Sequence, residues 1–252
     1  MRIGLIGAGN MASALARGFG EPVLVFDPVA GRAEALAEEL GGEALASNAE
    51  VAEQADVVFL CHKPAQLDEV AAEAHDNAKA VVSILAATPV ARVEEAYPDR
   101  PVYRFLPNIP VEVKQGVACY VPGRLASDGP ESDVIGLFER VGEVVRLPSE
   151  PLIEPAMALM SSGPAFFALV VEALVEAGVK QGLARDDAAK LTVETMGGSA
   201  EVLRRGDLDA TALRTRVTSP GGVTARGLAA LERGGLRTAF DDAVAAVVEA
   251  TR

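Results

Sequence analysis

The chain has 252 residues, more than one average domain, so two domains are expected. Its formal net charge of -13 at pH 7 argues against nucleic acid, whose phosphates require clustered Lys and Arg, and against an anionic membrane surface. Cys61 and Cys119 are too few for a disulfide framework at this length, so we expect a reducing compartment, the cytoplasm.

The first part of the chain, to about residue 148, alternates short β-rich runs with helical stretches. This pattern is typical of an α/β domain with a parallel, doubly wound sheet of the Rossmann type, expected over residues 1–150. A helix over residues 31–40 is ended by Gly41 and Gly42. The predicted strands are 2–6, 23–26, 56–61, 80–85, 102–106, 117–121 and 143–147.

After Pro148 the β-rich runs stop, and residues 154–252 are helical in character. One stretch has a wide apolar face, and a helix this apolar is buried either in its own domain or against another subunit. We therefore expect an all-helical dimerisation domain over residues 151–252. No stretch approaches the ~20 uninterrupted apolar residues of a membrane span, so no membrane partner is expected. The apolar face comprises Phe166, Phe167, Val170, Val171, Leu174 and Val175.

The sharpest local motif is Gly7-Ala8-Gly9-Asn10-Met11-Ala12, between a predicted strand and a predicted helix. Gly7 permits a tight turn, Gly9 lets a pyrophosphate approach the backbone, and Ala12 allows close packing of helix on strand. The free N–H groups of the helix start favour phosphate. Because βαβ patterning follows the motif, a dinucleotide site is predicted here.

Asp27 ends the second predicted strand, twenty residues after Gly7. An acidic residue there accepts hydrogen bonds from the adenosine ribose and repels a 2′-phosphate, so Asp27 favours NADH over NADPH. Arg32 could partly offset this preference. A purely local role for Asp27, starting a turn with Pro28, remains the alternative.

A second cluster, Cys61-His62-Lys63-Pro64, follows the predicted strand 56–61. Ligands bind at the carboxyl ends of the strands in open α/β sheets. His62 has no orienting carboxylate in view, so a role outside catalysis is favoured.

Three segments make the sequence recognisable. Arg104-Phe105-Leu106-Pro107-Asn108-Ile109-Pro110 resembles the R-x-M-P-N-x-P segment of pyrroline-5-carboxylate reductases, and Ser162-Gly163-Pro164-Ala165 resembles part of that family's S-G-S-G-P-A-Y element. The most diagnostic stretch is Val217-Thr218-Ser219-Pro220-Gly221-Gly222-Val223-Thr224, followed by Gly227-Leu228. The elements lie in the family's order along the whole chain.

The resemblance implies a Rossmann domain, a helical domain that interlocks in a homodimer or larger assembly, and NAD(P)H-dependent reduction of 1-pyrroline-5-carboxylate to L-proline in proline biosynthesis. By matching position, the implied cofactor-binding residues are Ile6, Gly7, Ala8, Gly9, Asn10, Met11, Asn48, Cys61, His62, Lys63, Pro64, Leu85, Ala86 and Ala87. The implied substrate-binding residues are Ser162, Gly163, Ser219, Pro220, Gly221, Gly222, Val223 and Thr224, with a second subunit completing the site.

The substrate segment makes chemical sense. Two glycines leave backbone N–H groups unobstructed at a helix start, which suits a carboxylate. The Thr224 hydroxyl can hydrogen-bond the ring nitrogen and is the predicted catalytic group. Without the resemblance, Ser-Pro-Gly-Gly would be read as a helix–helix turn. No metal site is expected.

Several positions depart from the family pattern. Met160 and Ser161 stand where Ser-Gly is usual, and Phe166 replaces Tyr. A reductase of another cyclic imine or ketimine acid is therefore one alternative, and a non-catalytic dinucleotide-binding paralogue is another. A β-hydroxyacid dehydrogenase fits poorly, because Ala184 stands where that class needs Asn four residues after its catalytic lysine, here Lys180.

Overall fold

The computed structural model describes residues 1–251 and divides into two compact units, residues 1–161 and residues 162–250. The first unit extends beyond residue 150 because a helix at Ile153–Met160 belongs to it. Ile153 lies in the core of this unit, and Asn108 Nδ2 donates a hydrogen bond to the Met160 carbonyl at 2.9 Å.

The first unit is built on an eight-stranded sheet of order β3-β2-β1-β4-β5-β6-β7-β8. The strands are β1 Ile3–Ile6, β2 Val23–Phe26, β3 Glu43–Ala44, β4 Val57–Leu60, β5 Val81–Ser83, β6 Val102–Pro107, β7 Gly116–Pro122 and β8 Gly142–Arg146. The seven predicted strands are present, with ends shifted by one or two residues. The short β3 was not predicted, because Glu43 and Ala44 carry no β-strand preference.

The predicted parallel, doubly wound sheet is confirmed, with one antiparallel pair, β6 and β7, that was not predicted. The segment between them, residues 108–115, is too short for the helical crossover that a parallel connection requires. All other neighbouring strands are parallel.

Helices cover both faces of the sheet, as a doubly wound fold requires. In β4, Val57 and Phe59 belong to one buried cluster and Val58 and Leu60 to the other, which explains the uninterrupted apolar run of that strand. The helices are α1 Asn10–Phe19, α2 Arg32–Leu40, α3 Asn48–Gln54, α4 Leu67–Ala74, α5 Val90–Ala96, α6 Glu131–Glu139 and α7 Ile153–Met160. Residues of α1, α2 and α6 join the first cluster, and residues of α3, α4 and α5 join the second.

The second unit is entirely helical over its described residues. Its helices are α8 Gly163–Lys180, α9 Arg185–Arg204, α10 Ala210–Arg216, α11 Val223–Arg233 and α12 Leu236–Ala250. Glycines interrupt this helical region at Gly182, Gly206 and Gly235, and all three have positive φ, 98°, 78° and 76°.

Taken alone, the second unit has little core. Within its described residues, Val175 and Ala188 are the buried apolar side chains, whereas Phe167 is 57% exposed and Leu174 53%. By length and composition the run Glu150–Lys180 is apolar enough to cross a membrane, since an 18-residue window within it has a mean hydropathy of 1.8. An exposed apolar surface of this extent is typical of an interaction site. A helix that another subunit covers can have the same length and apolar composition as a membrane span.

Gly142 begins β8 with φ 155°, and a Cβ there would lie 1.9 Å from the Gly116 carbonyl oxygen of β7. We expect Gly142→Ala to destabilise the protein by about 2–4 kcal/mol, because backbone must move in a paired strand. The control is Gly136→Ala in α6, where a Cβ meets nothing within 4 Å. That change should stabilise by about 0.5–1 kcal/mol. Thermal unfolding of both variants checks the opposite signs, and equal effects would contradict the prediction.

Candidate active site

The turn after β1 is possible because residue 7 is glycine. Gly7 has φ 105°, and its N–H donates to the Phe26 carbonyl at 2.8 Å. A Cβ at Gly7 would lie 2.9 Å from the carbonyl carbon and oxygen of Cys61. The turn is thus held between the ends of β2 and β4, where a side chain has no room.

Gly9 has a different role. It is the N-cap of α1, with extended φ and ψ, and no side chain caps the helix. A Cβ at Gly9 would meet nothing within 4 Å. The uncapped N–H groups of a ten-residue helix therefore face open space, an arrangement that fits a dinucleotide pyrophosphate.

Asp27 fastens this turn to the loop after β2. Its Oδ2 accepts a hydrogen bond from Ala8 N, and its Oδ1 accepts one from Val29 N, both at 2.8 Å. The predicted alternative of a local turn role for Asp27 is therefore part of what the side chain does. Each carboxylate oxygen retains a further lone pair for a ligand hydroxyl.

These residues line a cleft of about 790 Å³ at the carboxyl ends of β1, β2 and β4. Eight of the predicted cofactor residues line it, namely Ile6, Gly7, Gly9, Asp27, Asn48, Cys61, His62 and Lys63. Ala8 and Asn10 line an adjoining depression of about 490 Å³, and Gly9 and Arg32 line both. Met11, Pro64, Leu85, Ala86 and Ala87 line neither, although they belong to the same unit.

His62 is not set up as an acid or base. Its Nδ1 lies 2.9 Å from the Lys63 carbonyl oxygen, and because a carbonyl can only accept, Nδ1 carries the hydrogen. Burial lowers the pKa of His62, which favours the neutral ring. Among the described residues no carboxylate pairs with His62, which supports the expected role outside catalysis. Burial likewise raises the pKa of the Cys61 thiol, so that group stays protonated.

Sequence reasoning missed two acidic residues of the cleft, Glu69 and Glu73 on α4. Asn48 is 8% exposed, and its Nδ2 donates to Glu73 Oε2 at 2.9 Å. The start of α3 was readable from the sequence, since Ser47 is its N-cap: Ser47 Oγ accepts from Glu50 N at 3.2 Å, and Glu50 Oε2 accepts from Ala46 N, just before the cap, at 3.0 Å. The hydrogen-bond partner of Asn48 could not be read from the sequence, because Glu73 lies 25 residues away on another helix.

The Arg104–Pro110 segment has a structural role in the first unit. The buried Arg104 pairs with Glu150 at 2.5 Å, and the same Glu150 oxygen accepts from Val90 N at 2.7 Å. Asn108 is also buried, and its Oδ1 accepts from Val117 N at 2.8 Å while its amide donates to Met160. These contacts hold α7 and the start of α5 against the sheet.

The second unit carries the other predicted segment. Gly221 has φ 69°, and Gly222 donates to the Ser219 carbonyl at 3.0 Å and forms the uncapped N-terminus of α11. A Cβ at Gly222 would lie 2.2 Å from Ser219 Oγ. Val223 is 86% exposed, and the Thr224 hydroxyl has no hydrogen-bond partner among the described residues. Pro220 lies in this turn, and Ser162 and Gly163 lie at the start of α8.

Comparison with known proteins decides the family. The pyrroline-5-carboxylate reductase dimerisation family matches residues 150–252, and a family described as NADP oxidoreductase, coenzyme F420-dependent, matches residues 2–87. The pyrroline-5-carboxylate reductase of Mycobacterium tuberculosis is 37% identical, with 97% of this chain and 94% of that protein covered. This chain belongs to the pyrroline-5-carboxylate reductase family.

Solved structures of this family have the same fold. The pyrroline-5-carboxylate reductase of Coxiella burnetii superposes with a TM-score of 0.91 at 30% identity, covering 99% of this chain and 97% of that one. The Plasmodium falciparum pyrroline carboxylate reductase, solved with NADP bound, gives a TM-score of 0.85 at 27% identity, covering 100% and 97%. The predicted family and the predicted two-part fold are both confirmed.

Because a Cβ at Gly9 enters open space, we expect Gly9→Ala to keep the melting temperature within about 2 °C. Dinucleotide affinity should fall about tenfold or more, since the methyl group occupies the space the pyrophosphate needs. Gly7→Ala is the contrasting variant, because it must strain the backbone and should lower the melting temperature itself. Calorimetric titration with NADH and NADPH measures the affinity, and an unchanged value for Gly9→Ala would contradict this placement.

Proposed function

We propose that this chain is an NAD(P)H-dependent oxidoreductase that reduces 1-pyrroline-5-carboxylate to L-proline. The observation that carries the proposal is the glycine turn after β1. It leaves the start of α1 uncapped and open to a cleft large enough for a nucleotide. A second uncapped helix start, at α11, carries an unbonded threonine hydroxyl in its first turn.

The residues that line the cleft supply a binding role for each part of the cofactor. The N–H groups at the start of α1 hold the pyrophosphate, and Asp27 and Asn48 offer oxygens to ribose hydroxyls. When bound, the reduced nicotinamide supplies the hydride. The chain's own contribution is binding and orientation, which agrees with a cleft whose histidine and cysteine are both held neutral.

We assign substrate binding to the second unit. The N–H groups of Val223 and Thr224, at the start of α11, would receive the substrate carboxylate, and the Thr224 hydroxyl would hydrogen-bond the ring nitrogen. Ser162, Gly163, Ser219, Pro220 and Gly221 shape the pocket, which a second subunit completes. An imine nitrogen is protonated easily in water, so the site needs no strong general acid.

Either dinucleotide can serve, with NADH preferred, in this proposal. The Asp27 carboxylate opposes a 2′-phosphate, but its charge is partly offset by two backbone N–H donors. Arg32 lines the same cleft, and among the described residues no carboxylate pairs with its guanidinium. The preference for NADH should therefore be modest, because the unpaired guanidinium of Arg32 can bind the 2′-phosphate.

We further propose a cytoplasmic homodimer or a larger homo-oligomer. The large exposed apolar surface of α8 and α9 supports this, as does the match to a dimerisation family over residues 150–252. The net charge of -13 argues against a nucleic-acid partner, and we assign the apolar helix to the subunit interface.

Oxidation of NADH and NADPH, followed side by side with pyrroline-5-carboxylate, tests the function directly. Turnover with the five-membered ring supports the proposal. A strong preference for a six-membered imine acid would favour the alternative raised by Met160, Ser161 and Phe166. Tight NADH binding without turnover of any imine acid would favour a non-catalytic paralogue.

Thr224→Ala should lower kcat/KM about 10- to 100-fold, the value of one hydrogen bond to a charged group, with little change in NADH affinity. Thr224→Ser keeps the hydroxyl and should recover most of the activity. Thr218→Ala is the matched control, because the Thr218 hydroxyl already donates to the Arg214 carbonyl at 2.6 Å. Steady-state kinetics on the three variants is the measurement, and full activity in Thr224→Ala would remove the hydroxyl from the mechanism.

Arg32→Ala should weaken NADPH binding about fivefold and leave NADH binding nearly unchanged, because one exposed cation–phosphate contact is lost. Arg17→Ala serves as the control. Arg17 lines the adjoining depression, but its guanidinium is already paired with Glu39 at 2.6 Å. Calorimetry with both cofactors separates the two variants. An equal loss for NADH and NADPH in Arg32→Ala would show that Arg32 does not contact the 2′-phosphate.

A further inference from the structure

Two side chains from different helices meet at the edge of the cleft. Asn48 begins α3 and Glu73 lies near the end of α4, and both line the cleft wall. Asn48 Nδ2 donates to Glu73 Oε2 at 2.9 Å, and Asn48 is 8% exposed while Glu73 is exposed. The buried amide of Asn48 is thus held by the solvent-exposed carboxylate of Glu73.

This contact determines which way the Asn48 amide points. A carboxylate oxygen can only accept, so the nitrogen of the amide must face Glu73 and its oxygen must face away. Asn48 Oδ1 has no hydrogen-bond partner among the described residues, and it is not among the buried polar atoms that are sealed from solvent. The site therefore presents a free acceptor at a nearly buried position in the cleft wall.

We propose that Glu73 is a positioning residue for the dinucleotide: it fixes the Asn48 amide so that Oδ1 accepts a hydrogen bond from a ribose hydroxyl. The complementary group must be a hydrogen-bond donor, which excludes the phosphates, and among the donors of a dinucleotide the proposal assigns the ribose hydroxyls to Asn48. This inference rests on the proposed function, since it requires that a dinucleotide occupies the cleft. Without Glu73 no described contact holds the amide, so Oδ1 is no longer preorganised for the hydroxyl and the hydrogen bond to it is lost.

The chain contains a matched control. Glu69 lies one turn before Glu73 on α4 and lines the same cleft, but it makes no hydrogen bond to Asn48 among the described contacts. Replacing either glutamate removes one negative charge from the cleft, which favours an anionic ligand to a similar degree. A loss of affinity confined to Glu73 therefore reports orientation rather than charge.

The experiment is calorimetric titration of NADH into the full-length protein. Glu73→Ala should bind NADH about fivefold more weakly, the value of one hydrogen bond. Glu73→Gln should stay within about twofold of the parent, because its side-chain oxygen still accepts from Asn48. Glu69→Ala should bind NADH as tightly as the parent or slightly more tightly. Asn48→Ala should match Glu73→Ala, and the double variant should lose no more than either single one.

Three outcomes would overturn the proposal: parent-like affinity in Glu73→Ala, an equal loss in Glu69→Ala, or additive losses in the double variant. Melting temperatures measured without ligand show whether a variant is folded. If Asn48→Ala is not folded, the comparison of Glu73→Ala with Glu73→Gln still tests the proposal. Failure of the parent protein to bind NADH at all would instead count against the proposed function, so the two failures are distinguishable.

Discussion

The close approach of three backbones at the ends of β1, β2 and β4 is the constraint on which the rest of the site depends. Cys61 N donates to the Ile6 carbonyl at 2.9 Å and Gly7 N donates to the Phe26 carbonyl at 2.8 Å, so the chain leaves the sheet between two neighbours with no space for a side chain. Positive φ at Gly7 then turns the chain into α1, whose free N–H groups face the cleft. The proposed anion site thus follows from strand register and the absence of a Cβ.

The electrostatic character of the cleft depends on how its charges are already engaged. Asp27 accepts two backbone hydrogen bonds, whereas Arg32 has no ion-pair partner among the described residues. A carboxylate that is partly satisfied repels a phosphate less than a free one does, and an unpaired guanidinium attracts it more. In the proposed function the preference between the two dinucleotides is therefore a difference between opposing contributions, which the charge of either residue alone does not reveal.

The two units differ in how their apolar side chains are buried. The sheet of the first unit is covered on both faces by its own helices, and its two clusters contain most of the buried apolar side chains. The long helices of the second unit leave Phe167, Leu169 and Leu174 more than half exposed. Such a surface is stable in water when another copy of the chain covers it, so the stability of this unit is expected to depend on protein concentration.

Much of this protein could be read from its sequence, because the relevant signals are local. Short β-rich runs predicted the seven longer strands, glycines predicted several helix ends, and the spacing of Gly7, Gly9 and Asp27 predicted the cleft. The tertiary structure decided what depends on distant residues: the antiparallel pairing of β7 with β6, the pairing of Arg104 with Glu150, and the contact between Asn48 and Glu73. A hydrogen bond across 25 or 46 residues leaves no periodic trace in a sequence, since only the packing of the elements brings its two atoms together.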